Sequence, residues 1–320
     1  MKLAVVVVNW NSRADLRACL ESLRAGTHQD LELVVVDNGS ADGSVELVRE
    51  RFPEVVLIAA GENLGFAEGC NRGIEASTAP WVAMLNNDAV AEPRWAEALV
   101  AAAERAPPDC GMLQSVMLFL ERPGVVNSTG IELLRNGRGR DRAEGLRHDQ
   151  VAAPVEIFCP TAGAAAYRRS MLEEVKLGAG YFDRHHFMYY EDLDLGWRAR
   201  LGGWTAWLVP DAVVHHRWHG SADRHGRAWL RVIARTNRVR TLLKNGSPRF
   251  LLTSALATLL DVAVVLQSGG GDGALRLLEA ARASVRQRRE VAALARLPRE
   301  LVEERWVRPC WARPARLFQI

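Results

Sequence analysis

Apolar positions in the first hundred residues come as short unbroken runs separated by polar, helix-spaced segments. Leu3 to Val8 is continuous and mostly β-branched, the pattern of a strand covered on both faces of a parallel sheet. Ser12 stands where a helix cap belongs, and Leu16, Leu20 and Leu23 then share one helical face. Leu31 to Val36 repeats the strand pattern and ends at Asp37-Asn38-Gly39-Ser40. A short helix over Val45 to Arg51, a strand over Val55 to Ile58 and a helix over Cys70 to Ser77 follow. A fourth strand, Trp81 to Leu85, runs into Asn86-Asn87-Asp88. Strands alternating with helices predict an α/β fold, a mostly parallel sheet flanked by helices with right-handed crossovers.

From about Pro107 to Val155 the pattern loosens, and the charged, glycine-containing stretch Asn136 to Arg142 is expected as a surface loop or hairpin excursion. Trp204 to Val209 reads as a strand ending at Pro210-Asp211, and Arg227 to Leu243 as a helix. Arg249 to Leu266 is a long apolar run interrupted by Asp261. Ser268 to Gly273 is expected as a flexible joint, followed by a basic helical tail with Arg286, Arg288 and Arg289. The apolar run has two readings: a helix packed on the preceding domain, or an interfacial helix that the arginines help hold to a membrane surface. It is too short, and too clearly interrupted by Asp261, to span a bilayer. A boundary near residue 245 separates residues 1–245 from a helical, basic extension over residues 246–320. No internal repeat is visible.

Composition adds three constraints. With 320 residues, 48% apolar and 25% charged, the chain is globular and has ample material for a core. Its net charge of +3 hides an asymmetry, because residues from Arg224 onward include 19 basic against 7 acidic side chains. That suits an anionic membrane surface or a phosphorylated substrate rather than nucleic acid. The five cysteines are dispersed, as expected for reduced, buried thiols in a reducing compartment. The apolar run Met1 to Val8 is too short for a signal peptide or a membrane span, which points to a cytoplasmic protein.

Candidate chemistry concentrates in Phe182 to Arg198, where Glu191, Asp192 and Asp194 lie among aromatic and apolar neighbours. Partial desolvation raises a carboxylate's affinity for a proton, as a general base requires. Acidic residues at a helix N-terminus are the competing explanation. The polar clusters at Asn9-Trp10-Asn11, Asp37 to Ser40 and Asn86 to Asp88 end three strands, where a parallel sheet opens its ligand crevice. Turn chemistry also accounts for the Asp-Asn-Gly-Ser cluster. Asp88 can hold a hard divalent cation, and His215 or His216 at another strand end would favour Mn²⁺ over Mg²⁺. The competing reading is a solvated His pair. His219 adds zinc-like spacing, but no Cys or Glu accompanies it. Asn63 to Gly73 is glycine-punctuated and opens a helix, suiting phosphate or ribose, with Arg72 adding charge. It has neither the P-loop nor the G-x-G-x-x-G spacing, which argues against an ATPase or a dehydrogenase.

Val7-Val8-Asn9-Trp10-Asn11, Val36-Asp37-Asn38-Gly39-Ser40, Asn63-Leu64-Gly65-Phe66-Ala67, Leu85-Asn86-Asn87-Asp88 and Tyr190-Glu191-Asp192-Leu193-Asp194-Leu195 occur in that order. Together they resemble family 2 glycosyltransferases of the GT-A fold, in a bacterial rhamnosyltransferase-like branch, from about Lys2 to Asn245. The resemblance implies a Rossmann-like nucleotide-diphospho-sugar transferase domain over residues 1–245. Carried over, Asp37 contacts the donor nucleotide, and Asn9, Asn38, Asn63, Gly65, Arg72 and Asn87 line the donor site. Asp88 is the last acid of a D-x-D-type metal motif whose first position is Asn86, and His216 rather than His215 is the metal-binding His. Asp192 is the catalytic base. Gly163, Ala164, Glu191 and Trp197 fall on the acceptor side. Arg235 and Asn237 lie near an Arg-Asn pair of this branch, but Thr236 separates them and neither is carried over.

The implied activity is inverting and dependent on Mg²⁺ or Mn²⁺. A sugar, rhamnose in this branch, moves from a nucleotide-diphosphate donor to a hydroxyl of a glycan or lipid-linked acceptor in cell-surface polysaccharide synthesis. Such an enzyme would work in the cytoplasm or at the inner face of the membrane. The competing readings are a nucleotidyltransferase, whose basic glycine-rich N-terminal signature is missing, and a non-catalytic sugar- or partner-binding protein on the same fold.

Overall fold

The computed structural model describes residues 1–217 and 226–311, so His219 lies outside the described residues. The chain opens with β1 (Leu3–Asn9), α1 (Arg13–Arg24), β2 (Leu31–Asp37), α2 (Ser44–Arg51), β3 (Val56–Ala59), α3 (Gly65–Glu75) and β4 (Trp81–Leu85). Next come β5 (Ala89–Ala91), α4 (Trp95–Arg105), β6 (Cys110–Phe119), β7 (Val126–Ser128), β8 (Ile131–Leu134) and β9 (Gly139–Asp141). β10 (Ala164–Arg168), α5 (Arg169–Val175), α6 (Glu191–Leu201) and β11 (Thr205–His216) complete the sheets' main part. α7 (Arg227–Asn245), α8 (Pro248–Thr253), α9 (Ala255–Leu294), α10 (Arg299–Trp306) and β12 (Val307–Arg308) follow.

β1 lies between β2 and β4 and is parallel to both. Leu3, Val5 and Val7 enter one core, while Ala4 and Val6 enter the other. Both faces are covered, which explains the unbroken apolar run. The main sheet has the order β3-β2-β1-β4-β10-β6-β11-β5, with β7 added beside β6. β10 is antiparallel to both of its neighbours, so the sheet is mixed. A second sheet, β12-β8-β9, joins the C-terminal strand to the middle of the chain.

Several sequence expectations need correction. β11 does not stop at Pro210-Asp211: its pairing with β6 shifts register between Val209 and Val213, then continues to His216. Proline lacks the N–H a ladder needs, so the strand bulges there and resumes. The glycines of α3 serve close packing: a Cβ on Gly73 would fall 2.1 Å from Val6 Cγ1, and one on Gly69 2.6 Å from Val8 Cγ1. They let the helix lie directly on β1. The stretch Asn136 to Arg142 forms the expected hairpin, with β9 antiparallel to β8, and its residues Gly139 to Asp141 line the sheet's ligand side rather than standing free of it. Ser268 to Gly273 is a joint between two helical arms of α9, which lose helical geometry at Gly270. Asp261 belongs inside the apolar run because it is buried against Arg238 at 3.0 Å, Arg138 at 2.8 Å and Arg235 at 3.2 Å. Four cysteines are buried as expected, but Cys310 is exposed. Among the described residues no helix is long and apolar enough to cross a membrane.

Candidate active site

The C-terminal ends of β1, β2 and β4 bring their polar residues to one edge of the sheet, where a cleft of about 530 Å³ opens. Asn9 is the hinge of this edge. Its amide donates to Asp37 Oδ2 at 3.0 Å, and its Oδ1 accepts from Asn87 Nδ2 at 2.7 Å. Asp37, nearly fully buried, stands behind Asn9 and also accepts from Ser40 N at 2.8 Å. Asn38 donates to Gly65 O at 3.0 Å, and Asn63 Oδ1 accepts from Gly65 N at 3.0 Å. Gly65 has a φ of 82°, and a Cβ there would meet Phe187 O at 2.6 Å. Only glycine fits that crossing of the two loops.

Opposite these amides, β11 carries two histidines that diverge. His215 Nε2 reaches Glu92 at 3.0 Å, whereas His216 turns into the cleft, its Nε2 3.2 Å from Asp88 Oδ1. His216 Nδ1 donates to Asn127 Oδ1 at 2.9 Å, so Nε2 is left with its lone pair, facing the Asn86 amide at 3.2 Å. Asp88 Oδ1 is buried and has no hydrogen-bond donor among the described residues. Two electron-rich atoms thus meet in one corner, and the Asn127 bond orients the imidazole as an outer partner orients a metal-bound His. This donor set of one carboxylate and one imidazole fits a divalent cation.

The acid motif opens α6. Glu191, Asp192 and Asp194 therefore do sit at a helix N-terminus, and the first two also line the cleft. Asp192 Oδ1 accepts from Leu193 N at 2.7 Å, and Oδ2 from Ala162 N at 3.3 Å. Burial raises its carboxyl above the usual range despite those bonds. Glu191 is raised further, by burial and by the charge of Asp192, and its Oε2 has no hydrogen-bond partner among the described residues. Asp141, brought in by β9, is lifted to about 6 by burial, with the Asp192 charge adding to the rise against a hydrogen bond from Ser128.

The turn before α6 is strained. Phe187, Tyr189 and Tyr190 have φ of 63°, 68° and 70°, each costing on the order of 1–3 kcal/mol for a residue with a side chain. Asn237 on α7 holds that turn: its amide donates to His186 O at 2.6 Å, Met188 O at 2.9 Å and Tyr189 O at 3.0 Å. Behind α6, Lys244 Nζ lies 2.7 Å from Asp183 Oδ2 and 2.8 Å from Asp194 Oδ2, with all three side chains fully buried. Arg198 adds a second cation at 3.1 Å from Asp194, and Asn245 donates to Asp194 Oδ1 at 2.7 Å. Asp183, His186 and Asp194 are close enough together to suggest a metal site, but the Lys244 ammonium already bridges both carboxylates. They form an internal ion pair, the bolt between α6 and α7.

The cleft gathers Asn9, Asn38, Asn63, Gly65, Asn87, Asp88, Gly163, Glu191, Asp192 and His216 from the expected set. Others stand apart. Trp197 does not line the cleft: its indole is fully buried between Phe158 and Phe250. It lies five residues beyond Asp192, on the opposite face of α6. Ala164 is buried inside β10, where it pairs with Leu85. Arg72 is well down α3 and pairs with Glu68 at 3.5 Å, away from the cleft. Sequence reasoning missed Asn127, Ser128 and Asp141, whose segment has no clear periodicity, and the role of Asn237, whose neighbours Arg235 and Thr236 offered no cue.

Comparison with known proteins adds the family. The family described as glycosyl transferase family 2 matches residues 4–176. The chain is 32% identical over 245 residues to the N-acetylglucosaminyl-diphospho-decaprenol L-rhamnosyltransferase of Mycobacterium tuberculosis, covering 68% of this chain and 77% of that one. Among solved structures, GalNAc-T7 with UDP, GalNAc and Mn²⁺ aligns with a TM-score of 0.62 at 14% identity, covering 78% of this chain and 49% of that one. A mannosyltransferase from Pyrobaculum calidifontis with GDP-Man and Mn²⁺ aligns with a TM-score of 0.54 at 18% identity, covering 95% and 87%. At such identities these two structures establish the fold, a GT-A sheet with a helical C-terminal region.

Proposed function

We propose, from the premise that this chain belongs to glycosyl transferase family 2 in its rhamnosyltransferase-like branch, that it is an inverting, metal-dependent transferase acting on a hydroxyl of a lipid-linked or glycan acceptor. Rhamnose is the sugar of choice, since the mycobacterial relative carries a rhamnosyltransferase name. The reaction belongs to cell-surface polysaccharide synthesis, at the cytoplasmic face of the membrane. One observation carries the reading: Asp88, His216 and the proton-hungry Asp192 share a single cleft with the strand-end amides.

Asp88 and His216 would hold a divalent ion, Mg²⁺ or Mn²⁺, which supplies charge neutralisation for a departing diphosphate. Asn9, Asn38 and Asn87, tied to Asp37 and Gly65, give the nucleotide a rigid polar floor. Asp192 takes the proton of the acceptor hydroxyl while that oxygen bonds to the anomeric carbon. The bond from that carbon to the diphosphate breaks on the opposite face, and the nucleoside diphosphate leaves with the electron pair. Configuration inverts. Glu191, buried beside the base with its Oε2 lacking a hydrogen-bond partner among the described residues, faces the acceptor.

The direct test is a donor panel of dTDP-rhamnose, UDP-galactose, UDP-glucose, UDP-N-acetylglucosamine and GDP-mannose, each with Mg²⁺ or Mn²⁺ and then EDTA, read as nucleoside-diphosphate release. Metal-dependent release from dTDP-rhamnose is the expected result. Silence on every donor, with no donor-induced rise in melting temperature, would leave a non-catalytic binding protein. Asp88→Ala should weaken donor binding by more than the roughly 10–100-fold that loss of an outer-shell metal partner costs, and should flatten the Mn²⁺ titration. An unchanged Mn²⁺ response would remove Asp88 from the metal site.

Asp192 acts only when ionised, and burial raises its proton affinity. Activity therefore rises with pH through its elevated titration. The acid limb of kcat/KM should lie above the ordinary Asp value of about 3.9. A profile flat down to pH 4 would contradict this.

A further inference from the structure

The outer surface of α8 and α9 is used by nothing described so far. Leu252, Leu256, Leu259, Leu260 and Leu266 project from it, with Leu256 72% and Leu259 66% exposed. Asp261 of α9 pairs with Arg235 and Arg238 of α7, and Gly269 lies against Val232. The first arm of α9 therefore runs antiparallel to α7. Gly270 then reverses the helix with φ 53° and ψ −135°. On the way back Ser284 donates to Arg240 O at 3.3 Å and Arg288 to Leu243 O at 2.8 Å, so the second arm runs along α7 in its own direction.

At about 3.6 residues per turn, Leu256, Leu259 and Leu266 share the side opposite the buried Asp261. Leu275, Arg282, Arg286 and Arg289 share the side opposite the buried Ser284. Both arms thus turn these faces away from α7. The faces differ in chemistry: leucines make up the outward side of the first arm, while Arg282, Arg286 and Arg289 stand on the outward side of the second. An apolar ridge beside an arginine-rich ridge matches the cross-section of an anionic bilayer surface, acyl chains beneath phosphate headgroups.

We propose that the α8–α9 hairpin is the docking surface of this protein for an anionic lipid bilayer. The leucines of the first arm enter the headgroup–acyl boundary, and the arginines of the second arm meet lipid phosphates. The placement suits a lipid-linked acceptor, and in that respect it extends the proposed function. Asp261, beneath the leucine ridge, also holds Arg138 at 2.8 Å, and the residues that follow it, Gly139 to Asp141 of β9, form one wall of the cleft. A single carboxylate links the lipid-facing hairpin to the wall beside Asp192.

The test is flotation of the full chain with vesicles of phosphatidylcholine alone or mixed equally with phosphatidylglycerol, with no substrate present. The protein should float with the anionic vesicles, and Leu256→Glu with Leu259→Glu should cut the bound fraction roughly tenfold at an unchanged melting temperature. Arg282→Glu with Arg286→Glu, which leaves the leucines in place, should lower binding to anionic vesicles by roughly tenfold and abolish the preference for them. Absence of flotation with either vesicle would overturn the proposal. So would a dimer in light scattering that the two leucine substitutions dissolve, since a second copy would then cover the ridge. Because the assay needs no sugar transfer, its failure is separate from a failure of the transferase reading.

Discussion

Asp192→Asn is expected to lower kcat by a factor of ~10²–10⁴, the range for loss of a general base, with donor affinity held within about twofold. The substitution keeps the shape of the side chain. Both carboxylate oxygens now accept backbone N–H bonds, from Leu193 at 2.7 Å and Ala162 at 3.3 Å. An amide can accept through one atom only, so the longer bond to Ala162 is the one lost, and the start of α6 remains anchored. What disappears is the capacity to take a proton. Nucleoside-diphosphate release under saturating donor gives kcat, and the donor-induced rise in melting temperature gives binding. A variant retaining most of its kcat would show that the base lies elsewhere, with Asp141 and Glu191 the cleft's other carboxyls besides Asp88.

Lys244→Met should produce the largest loss of stability. The side chains of Lys244, Asp183 and Asp194 are fully buried, and removing one partner of such a set typically costs about 3–5 kcal/mol because the remaining charge is stranded. For a chain of this size that corresponds to a melting temperature lower by on the order of 10 °C. Burial alone would raise Asp183 and Asp194, but Lys244, with His185 at Asp183 and Arg198 at Asp194, holds both below the usual carboxylate range. Groups depressed in the folded state stabilise it above their unfolded value of about 4 and lose that contribution as pH falls through the folded one. In the variant these carboxyls are no longer held ionised and take protons sooner. Its deficit in melting temperature should therefore shrink as pH approaches 4, and a deficit constant from pH 8 to 4 would show that the ammonium does not hold the two charges.

Local patterns carried much of this site. The run Leu3 to Val8 reads as a doubly covered strand because each residue meets apolar atoms on whichever face it points to, and Leu3, Val5 and Val7 do enter a different core from Ala4 and Val6. Strand identity then places Asn9, Asn38 and Asn87 at the crevice, since polar residues just after buried parallel strands emerge at the same edge. The Glu191–Asp192 motif was legible for a related reason: its aromatic surroundings are contiguous in the chain. Trp197 looked equivalent on that one-dimensional scale, yet the turn of α6 carries it to the far side.

What the sequence by itself determined was the alternation of strands and helices, the polar strand ends and the acid motif, all features written in residues that are near neighbours. The family resemblance favoured His216 over His215, but it is tertiary structure that turns His216 toward Asp88, because the register of β11 beyond its bulge depends on pairing with β6 and β5. Tertiary structure alone brought Asp141 beside Asp192, bound the turn at Phe187–Tyr190 to Asn237, and set Lys244 between Asp183 and Asp194. These pairs join residues 48 to 61 positions apart. Periodicity records only the face a residue turns toward its own element's surroundings; which distant residue meets it there is settled when the elements pack.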